Sequence, residues 1–511
     1  MAHAPTTTTT TAADGAGRRA PGVVSIGQHR REAVTLSSPD VDDVPDPRRW
    51  RILAVLLVAI FMSLVSVSII NVVLPSVQRG LGASDSDLQW VLTGYALTFG
   101  VVLVGAGRAG DLLGRGPLFI AGVVLFTLSS VWGGLAPDPL SLNLSRVVQG
   151  LGSGLLNPQA VGMIQQYFRG PERGRAYGAL GSVIGVSVAV GPVLGGLIIQ
   201  LAGEADGWRW TFLVNVPVGV LAVVLALRWF PRPMRVPRAA RTGSHDLDPV
   251  GTVLLAVAVL ALLLPFVERS LGSWGWLLLP GGAALLALWV AWELHYRRRG
   301  RAPMVDLSLF RLRSFSVGTV IAGLYFLGVT SVWVIVALYV QNGLGRSALE
   351  AGLVGLPAAL VSAVTSNWAG RHVGARGRRI VVAGLVSAMV GLLLSVLVVQ
   401  LVAADRASVW WMLLTLAFVG AAQGMVITPN QTITLGQVPL EYSGAAGGVL
   451  QTAQRIGTAM GLAVITAVAF AVLEESTWAV AVTAGFLAVT GALAVTLAVA
   501  VLDLRGARRG R

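Results

Sequence analysis

The chain of 511 residues contains no cysteine, which excludes disulfides, thiolate metal sites and cysteine nucleophiles. It contains no lysine either, so every one of its 38 basic side chains, histidine aside, is an arginine. Without lysine there is no P-loop and no ATPase chemistry of that kind. Acids are scarce too: Asp and Glu together number 24, and charged residues make up only 12% of the chain. The five histidines (His3, His29, His245, His295 and His372) show no metal-ligand spacing. No cofactor and no metal is expected. There is no Gly-x-Ser-x-Gly elbow and no His-Glu-x-x-His, so a membrane-embedded enzyme lacks its usual frameworks.

What fills the space is apolar sequence, 55% of the chain, a composition of polytopic membrane proteins. A spanning helix needs about 20 apolar residues. Fourteen stretches qualify, near 52–74, 88–107, 117–136, 140–168, 175–200, 210–230, 250–267, 274–294, 315–341, 349–370, 379–402, 408–428, 446–473 and 477–502. The weak alternating ten-residue segments of a membrane barrel are absent. The expected fold class is therefore all-α, with the lipid bilayer as solvent.

The net charge of +14 does not call for nucleic acid. Assigned to alternate sides of fourteen spans, 31 arginines fall on the side of both termini and five on the other. This asymmetry places both termini in the cytoplasm of a cell-membrane protein. Arg146 and Arg455 remain inside spans. Residues 1–49, rich in Thr, Pro, Ala, Asp and Arg, are too polar to bury a core and are expected to be disordered.

Two longer polar stretches, Pro231–Asp248 and Arg297–Ser314, divide the spans into six, two and six. The expected domains are a six-helix bundle over 50–230, linkers with two inserted helices over 231–314, a second bundle over 315–503 and a tail over 504–511. Such a plan suits a transporter built from repeated halves. Gly107-Arg108 through Arg115, and Gly370-Arg371 through Arg379, are Gly/Arg-rich turns at equivalent places in the two sixes.

Within the fifth span, Gly185 to Gly196 holds Gly185, Gly191, Pro192, Gly195 and Gly196. Gly and Pro disfavour helices in water by roughly 1 and 3 kcal/mol. In a bilayer they permit a bend and close backbone contact, and Gly191 and Gly195 form a small-xxx-small pair. Gly107-Arg108-Ala109-Gly110-Asp111-Leu112-Leu113-Gly114-Arg115 places an acid beside helix ends, where it interacts favourably with a helix dipole. The Gly105-x-Gly107-x-x-Gly110 spelling inside it follows no strand and is not a dinucleotide site. Arg146 and Gln149 share a helical face at membrane depth, where an arginine must face a partner or a cavity.

Taken together, these motifs resemble the major facilitator superfamily, and specifically its fourteen-helix drug:proton antiporters. The Gly107–Arg115 stretch is similar to the family's loop between helices two and three, with Gly116 where a further basic residue is usual. The resemblance implies a latching role for Asp111 and Arg115. Arg146-x-x-Gln149-Gly150 resembles the fourth-helix motif, linked to proton movement or to holding helices. Gly191-Pro192-x-x-Gly195-Gly196 resembles the fifth-helix motif of exporters. Trp208-Arg209-Trp210 through Asn215-Val216-Pro217, Pro303-x-x-Asp306-Leu307-x-Leu309-Phe310, Leu338-Tyr339-Val340-Gln341 and Ala351-Gly352-Leu353-x-x-Leu356-Pro357 extend the likeness from about residue 52 to 503.

The chain departs from that family in its first span. Val65-Ser66 through Asn71 and Pro75 keeps the Asn and Pro, but Ser66 stands where the family has an acid. A membrane carboxylate is the usual proton carrier and partner of cationic drugs. Glu268, Glu474 and Glu475 lie at outer ends and Glu293 near an inner one, so proton coupling would use a peripheral acid such as Asp111 or Glu268. The deep charges are Arg146 and Arg455, and neutral or anionic substrates are expected. Candidate substrate contacts are Ser66, Asn71, Tyr95, Gln149, Asn215, Tyr339, Gln341, Gln451 and Arg455, with Trp90, Asn157, Tyr325, Asn367 and Asn430 as further cavity candidates. Such polar and aromatic residues are more often packed or interfacial than substrate-binding, and snorkelling to the cytoplasmic surface accounts for Arg455 equally well. The expected function is export of small amphipathic drugs, antibiotics or metabolites by alternating access, in exchange for protons and as a monomer. A uniporter or importer of the same fold, or an exporter of an endogenous metabolite or lipid, is the alternative.

Overall fold

The computed structural model describes residues 46–203, 205–232, 247–267 and 269–509. The described residues form helices joined by short turns, and no strand occurs among them. Thirteen of their segments are long and apolar enough to cross a membrane. The helix α4 (Pro139–Tyr167) is not among these thirteen, although its 29 residues extend about 44 Å. Its Arg146, Gln149, Ser153, Gln159 and Gln165 lower its apolarity, and all five are buried against neighbouring helices. With α4, the described residues supply fourteen helical segments at the places of the fourteen expected spans.

The first bundle comprises α1 (Arg49–Leu81), α2 (Asp85–Leu113), α3 (Arg115–Gly134), α4, α5 (Gly170–Ala202), and a sixth span broken into α6 (Gly207–Leu213) and α7 (Asn215–Trp229). Helix α2 starts at a capping box, Ser84 with Asp87, and α4 starts at Asp138 followed by Pro139. Between α2 and α3 the chain reverses at Gly114, whose φ of 109° a side-chain-bearing residue adopts only with strain. The inserted pair is α8 (Pro249–Val267) and α9 (Leu278–Arg298). The second bundle comprises α10 (Arg313–Leu338), α11 (Ala348–Ala403), α12 (Met412–Gly436), α13 (Ser443–Glu475) and α14 (Trp478–Arg509).

Helix α11 stands for two of the expected spans. Its 56 residues would reach about 84 Å if straight, nearly three hydrocarbon thicknesses. They do not run straight. Ala358 and Thr365 of its first half meet Gly420 and Gly424 of α12 in the same order, whereas Gly384 and Gly391 of its second half meet Met425 and Phe418 in reverse order. The two halves are therefore antiparallel, and the helical ladder doubles back near the Gly370–Arg379 turn.

One apolar core fills the first bundle and runs on into the start of α10, the end of α12 and the start of α13, through Phe315, Leu435 and Ala446; a second fills the rest of the second bundle. The inserted pair packs elsewhere: Leu255, Val259, Leu263 and Trp289 meet Leu97 and Val104 of α2 and Val449 and Ile456 of α13, helices of different bundles. Two buried carboxylates fasten this pair. Asp248 accepts from Trp292 Nε1 at 3.0 Å, and Glu293 accepts from the Met304 backbone N–H at 3.0 Å. Glu293 thus sits in a structural clamp.

Candidate functional site: the seams and the cavity between the bundles

The face where α1 begins and α14 ends is the terminal face; the opposite one is the far face. In the terminal half the bundles touch along two seams. At the first, between α2 and α13, a Cβ on Gly107 would lie 2.2 Å from the Gly444 carbonyl oxygen, so only glycine fits. At the second, between α5 and α11, a Cβ on Gly174 would lie 2.2 Å from the Gly370 carbonyl oxygen, and one on Gly370 would lie 2.3 Å from that of Gly174. Such backbone-to-backbone contact is how small residues let membrane helices associate.

The first seam is latched. Asp111, in the last turn of α2 and fully shielded from solvent, accepts from the Gly444 and Ala445 backbone N–H groups at 3.0 Å each. These are orphan donors at the start of α13, where a negative charge also meets the positive end of the helix dipole. Arg115 pairs with Asp111 at 2.7 Å, donates to the Leu440 carbonyl at 2.7 Å, and ties back to Gly162 O and Gln166 Oε1. The acid and the arginine of one motif thus hold the other bundle at three points.

Deeper in the first bundle, Arg146 is wholly buried and uses Val91 O (2.8 Å), the Gln149 side chain and the face of Tyr95, 4.5 Å from the ring centre. Gln149 donates to Ser130 Oγ, and the Tyr95 hydroxyl shares hydrogen bonds with Ser63 and Ser153. Arg146, Gln149 and Tyr95 therefore form a closed network. The half-buried Arg455 differs: among the described residues it makes no ion pair and no hydrogen bond, and it rests on the Phe99 ring at 4.4 Å. It lies twelve residues into α13, about 18 Å along the helix. An unpaired guanidinium at that depth is costly unless water or an anion reaches it.

In the far half the bundles part around a cavity of about 440 Å³. Ser68, Val72, Pro75 and Pro192 line one side, and Trp333, Gln341, Gly352 and Gln423 the other; no charged residue among the described ones lines it. Gln341 and Pro192 were singled out from sequence, while Ser68, Trp333 and Gln423 were not. Ser68, Val72 and Pro75, at i, i+4 and i+7, share one helical face, which an almost uniformly apolar span does not announce. Ser66 is buried two positions away, and the side chain of Asn71 lies outside the described ones, as does Glu268. Tyr339 is buried beside Gln341, Asn215 sits at the break between α6 and α7, and Gln451 is half-buried one turn before Arg455. Of the further candidates, Tyr325 is buried in the second bundle's core, Asn157 and Asn430 bond to backbone carbonyls, Trp90 is exposed, and Asn367 reaches the second seam.

The fifth-helix glycines pack on α1. A Cβ on Gly191 would come 1.8 Å from Ser68 Oγ, and one on Gly195 would come 2.7 Å from Ile69 Cγ1, while Gly196 has open space. Gly191→Ala is expected to lower stability by about 1–3 kcal/mol, read as a drop in Tm of the solubilised protein. Because the nearest obstacle is the Ser68 hydroxyl, Ser68→Ala should restore more than half of that loss. Equal losses with and without Ser68→Ala would show that the Ser68 Cβ at 2.7 Å and the Ile69 backbone N at 3.0 Å, both kept in the alanine variant, set the fit in place of the hydroxyl.

Two bundles that close along seams in one half and part around a cavity in the other are the architecture of a carrier. The sequence profile of the Major Facilitator Superfamily matches residues 56–462. The chain is 35% identical to a probable actinorhodin transporter of Streptomyces coelicolor over 84% of its own length and 74% of that protein's. It is 34% identical to a cephamycin export protein of Amycolatopsis lactamdurans, over 80% and 82% of the two lengths. Among solved structures, that of the human organic anion transporter MFSD10 superposes with a TM-score of 0.65 at 15% identity, over 89% of this chain and 100% of that one. The fold, the ordered motifs and these likenesses agree that the chain is a transporter, not an enzyme, and belongs to the major facilitator superfamily.

Proposed function

We propose that this transporter is a cell-membrane exporter whose terminal face is cytoplasmic, and that the structure is its outward-facing state. The observation that carries the reading is the pairing of a closed, latched terminal half with a 440 Å³ cavity in the far half. Rocking of the two bundles about the cavity gives alternating access. The arginine asymmetry supports the orientation. The fifth-helix glycines, set against α1 beside the cavity, and relatives described as antibiotic transport and export proteins support the direction.

The substrates are small amphipathic drugs, antibiotics or metabolites, neutral or anionic. The cavity walls are apolar with a few hydroxyl and amide groups, as expected for such ligands. Among the described residues no carboxylate lines them to attract a cation, and the deep charges Arg146 and Arg455 repel one. The six-two-six domain division and a monomeric unit belong to the same reading. Proton exchange would use a carboxylate outside the midplane, with Asp111 at the latch and Glu268 as candidates.

Transport into inside-out vesicles tests this reading. An imposed acidic interior should stimulate uptake of acidic and neutral compounds. Gradient-independent uptake would remove the proton and leave a uniporter of the same fold. Arg455→Gln should weaken transport of acidic compounds about tenfold relative to neutral ones of similar size, measured as the ratio of their KM values. An unchanged ratio would assign Arg455 to packing on Phe99.

A further inference from the structure

The two seams are related by a repeat that is incomplete in one respect. Gly107, Arg108, Gly114 and Arg115 recur at identical spacing as Gly370, Arg371, Gly377 and Arg378. The repeat is structural as well: Gly107 meets Gly444 at the first seam, and Gly370 meets Gly174 at the second. In this register the counterpart of Asp111 is Gly374. The first seam therefore carries a carboxylate that binds the facing helix, and the second carries none at that position.

The second seam instead concentrates positive charge. A cavity of about 470 Å³ opens there, lined by Trp50, Arg175, Ala179, Asn367 and Arg371. Arg175 belongs to the first bundle and Arg371 to the second. Neither makes an ion pair or hydrogen bond among the described residues. Among the described residues, Glu172, one turn before Arg175, is gripped at both oxygens by Arg49, at 2.9 and 3.0 Å, and feels Arg175 only as a more distant charge. Closing this face thus brings two exposed guanidinium groups of opposite bundles, neither in an ion pair among the described residues, to one cavity that an anion can share. Above the cavity α11 presents exposed Leu360, Val364 and Trp368. This is the side chain pattern of a membrane boundary: apolar surface, a Trp at its edge, then arginines.

We infer that this cavity binds the phosphate of an anionic phospholipid, which does at the second seam what Asp111 does at the first. Guanidinium groups match phosphate oxygens in a fork geometry, Asn367 supplies an amide donor, and the acyl chains lie along Leu360 and Val364. Because Arg175 and Arg371 belong to different bundles, the lipid holds the terminal face closed and favours the outward-facing state. Anionic lipids are abundant in the cytoplasmic leaflet, so the inference rests on the orientation proposed above.

The absence of cysteine makes the test direct. Spin labels on an Arg48→Cys/His372→Cys pair, both exposed and on opposite bundles, report the width of this face. Reconstitution in phosphatidylcholine with 30% phosphatidylglycerol, against phosphatidylcholine alone, should raise the closed-to-open ratio about fivefold or more. Arg175→Gln/Arg371→Gln should abolish that response, Arg175→Lys/Arg371→Lys, which keeps the charge but not the fork, should keep part of it, and Arg298→Gln/Arg299→Gln, two exposed arginines on another element, should not change it. A response that survives Arg175→Gln/Arg371→Gln, or one lost in Arg298→Gln/Arg299→Gln, overturns the site. Equal closure by millimolar inorganic phosphate in pure phosphatidylcholine overturns the lipid as the source. The orientation is read separately, from whether the Arg48→Cys thiol in whole cells escapes a membrane-impermeant maleimide. If it reacts, the orientation fails while the lipid response still judges the site.

Discussion

Gly174→Val is expected to reduce export to background while leaving the protein folded. The added Cβ would lie 2.2 Å from the Gly370 carbonyl oxygen and 2.6 Å from Val373 Cγ1, and a main-chain oxygen cannot rotate away as a side chain can. The clash exists only when the bundles meet. Opening the terminal face relieves it completely, so the variant should occupy the state in which that face is parted and the far face shut. The spin-label distance between Arg48→Cys and His372→Cys should lengthen by several ångströms, with Tm lowered far less than transport. Gly491→Val, on α14 where a Cβ meets nothing within 4 Å, provides the comparison and should transport normally. If Gly174→Val keeps the short distance and full export, the seam yields within the bundles and is not what closes the face.

The seam shows where sequence reading reached and where it stopped. The spans were legible because burying backbone in a bilayer forces long apolar helices, and a run of 20 apolar residues is hard to mistake. Even α4 was legible, since its polar residues come at the spacing of one buried face. The unbroken helical ladder of α11 was not: apolarity locates spans, but whether a turn keeps helical hydrogen bonds depends on local dihedrals at Gly374 and Gly377. The latch was legible in Asp111 and Arg115, although their partners, Gly444, Ala445 and Leu440, are backbone groups more than 300 residues away and carry no side-chain signature. The faint echo between Gly107–Arg115 and Gly370–Arg379 was visible as composition. Its meaning needed the structure, because a glycine selected by a facing backbone looks the same as one selected for a turn. Ser66 drew notice as a missing acid, yet the cavity is lined by Ser68, two residues on. A shift of two positions turns a helix by about 200°, and no periodicity in an almost uniformly apolar span reveals which side faces the cavity.

Asp111→Asn should shift the conformational equilibrium nearly as far as Gly174→Val, through energy in place of volume. The change keeps size and shape but removes the charge and turns one acceptor oxygen into a donor nitrogen. Of the two N–H groups at the start of α13, one then faces a donor, and an unsatisfied buried donor costs about 1–3 kcal/mol. The pairing with Arg115 also loses its charge assistance, and the α13 dipole loses its counterion, worth up to about 1 kcal/mol. The sum of about 3 kcal/mol corresponds to roughly a hundredfold change in the ratio of closed to open terminal face, since 1.4 kcal/mol is tenfold. Export should fall by at least an order of magnitude, and the spin-labelled pair should report a parted face. Arg115→Gln should act in the same direction but more weakly, because Asp111 still accepts from both backbone groups. The double variant decides whether the two side chains act as one device. If Arg115 works through Asp111, the two losses combine to much less than their sum, with a coupling of about 1–3 kcal/mol. Additive losses would mean that Arg115 closes the face on its own, through Leu440, and that the acid and the arginine of this motif are two separate latches.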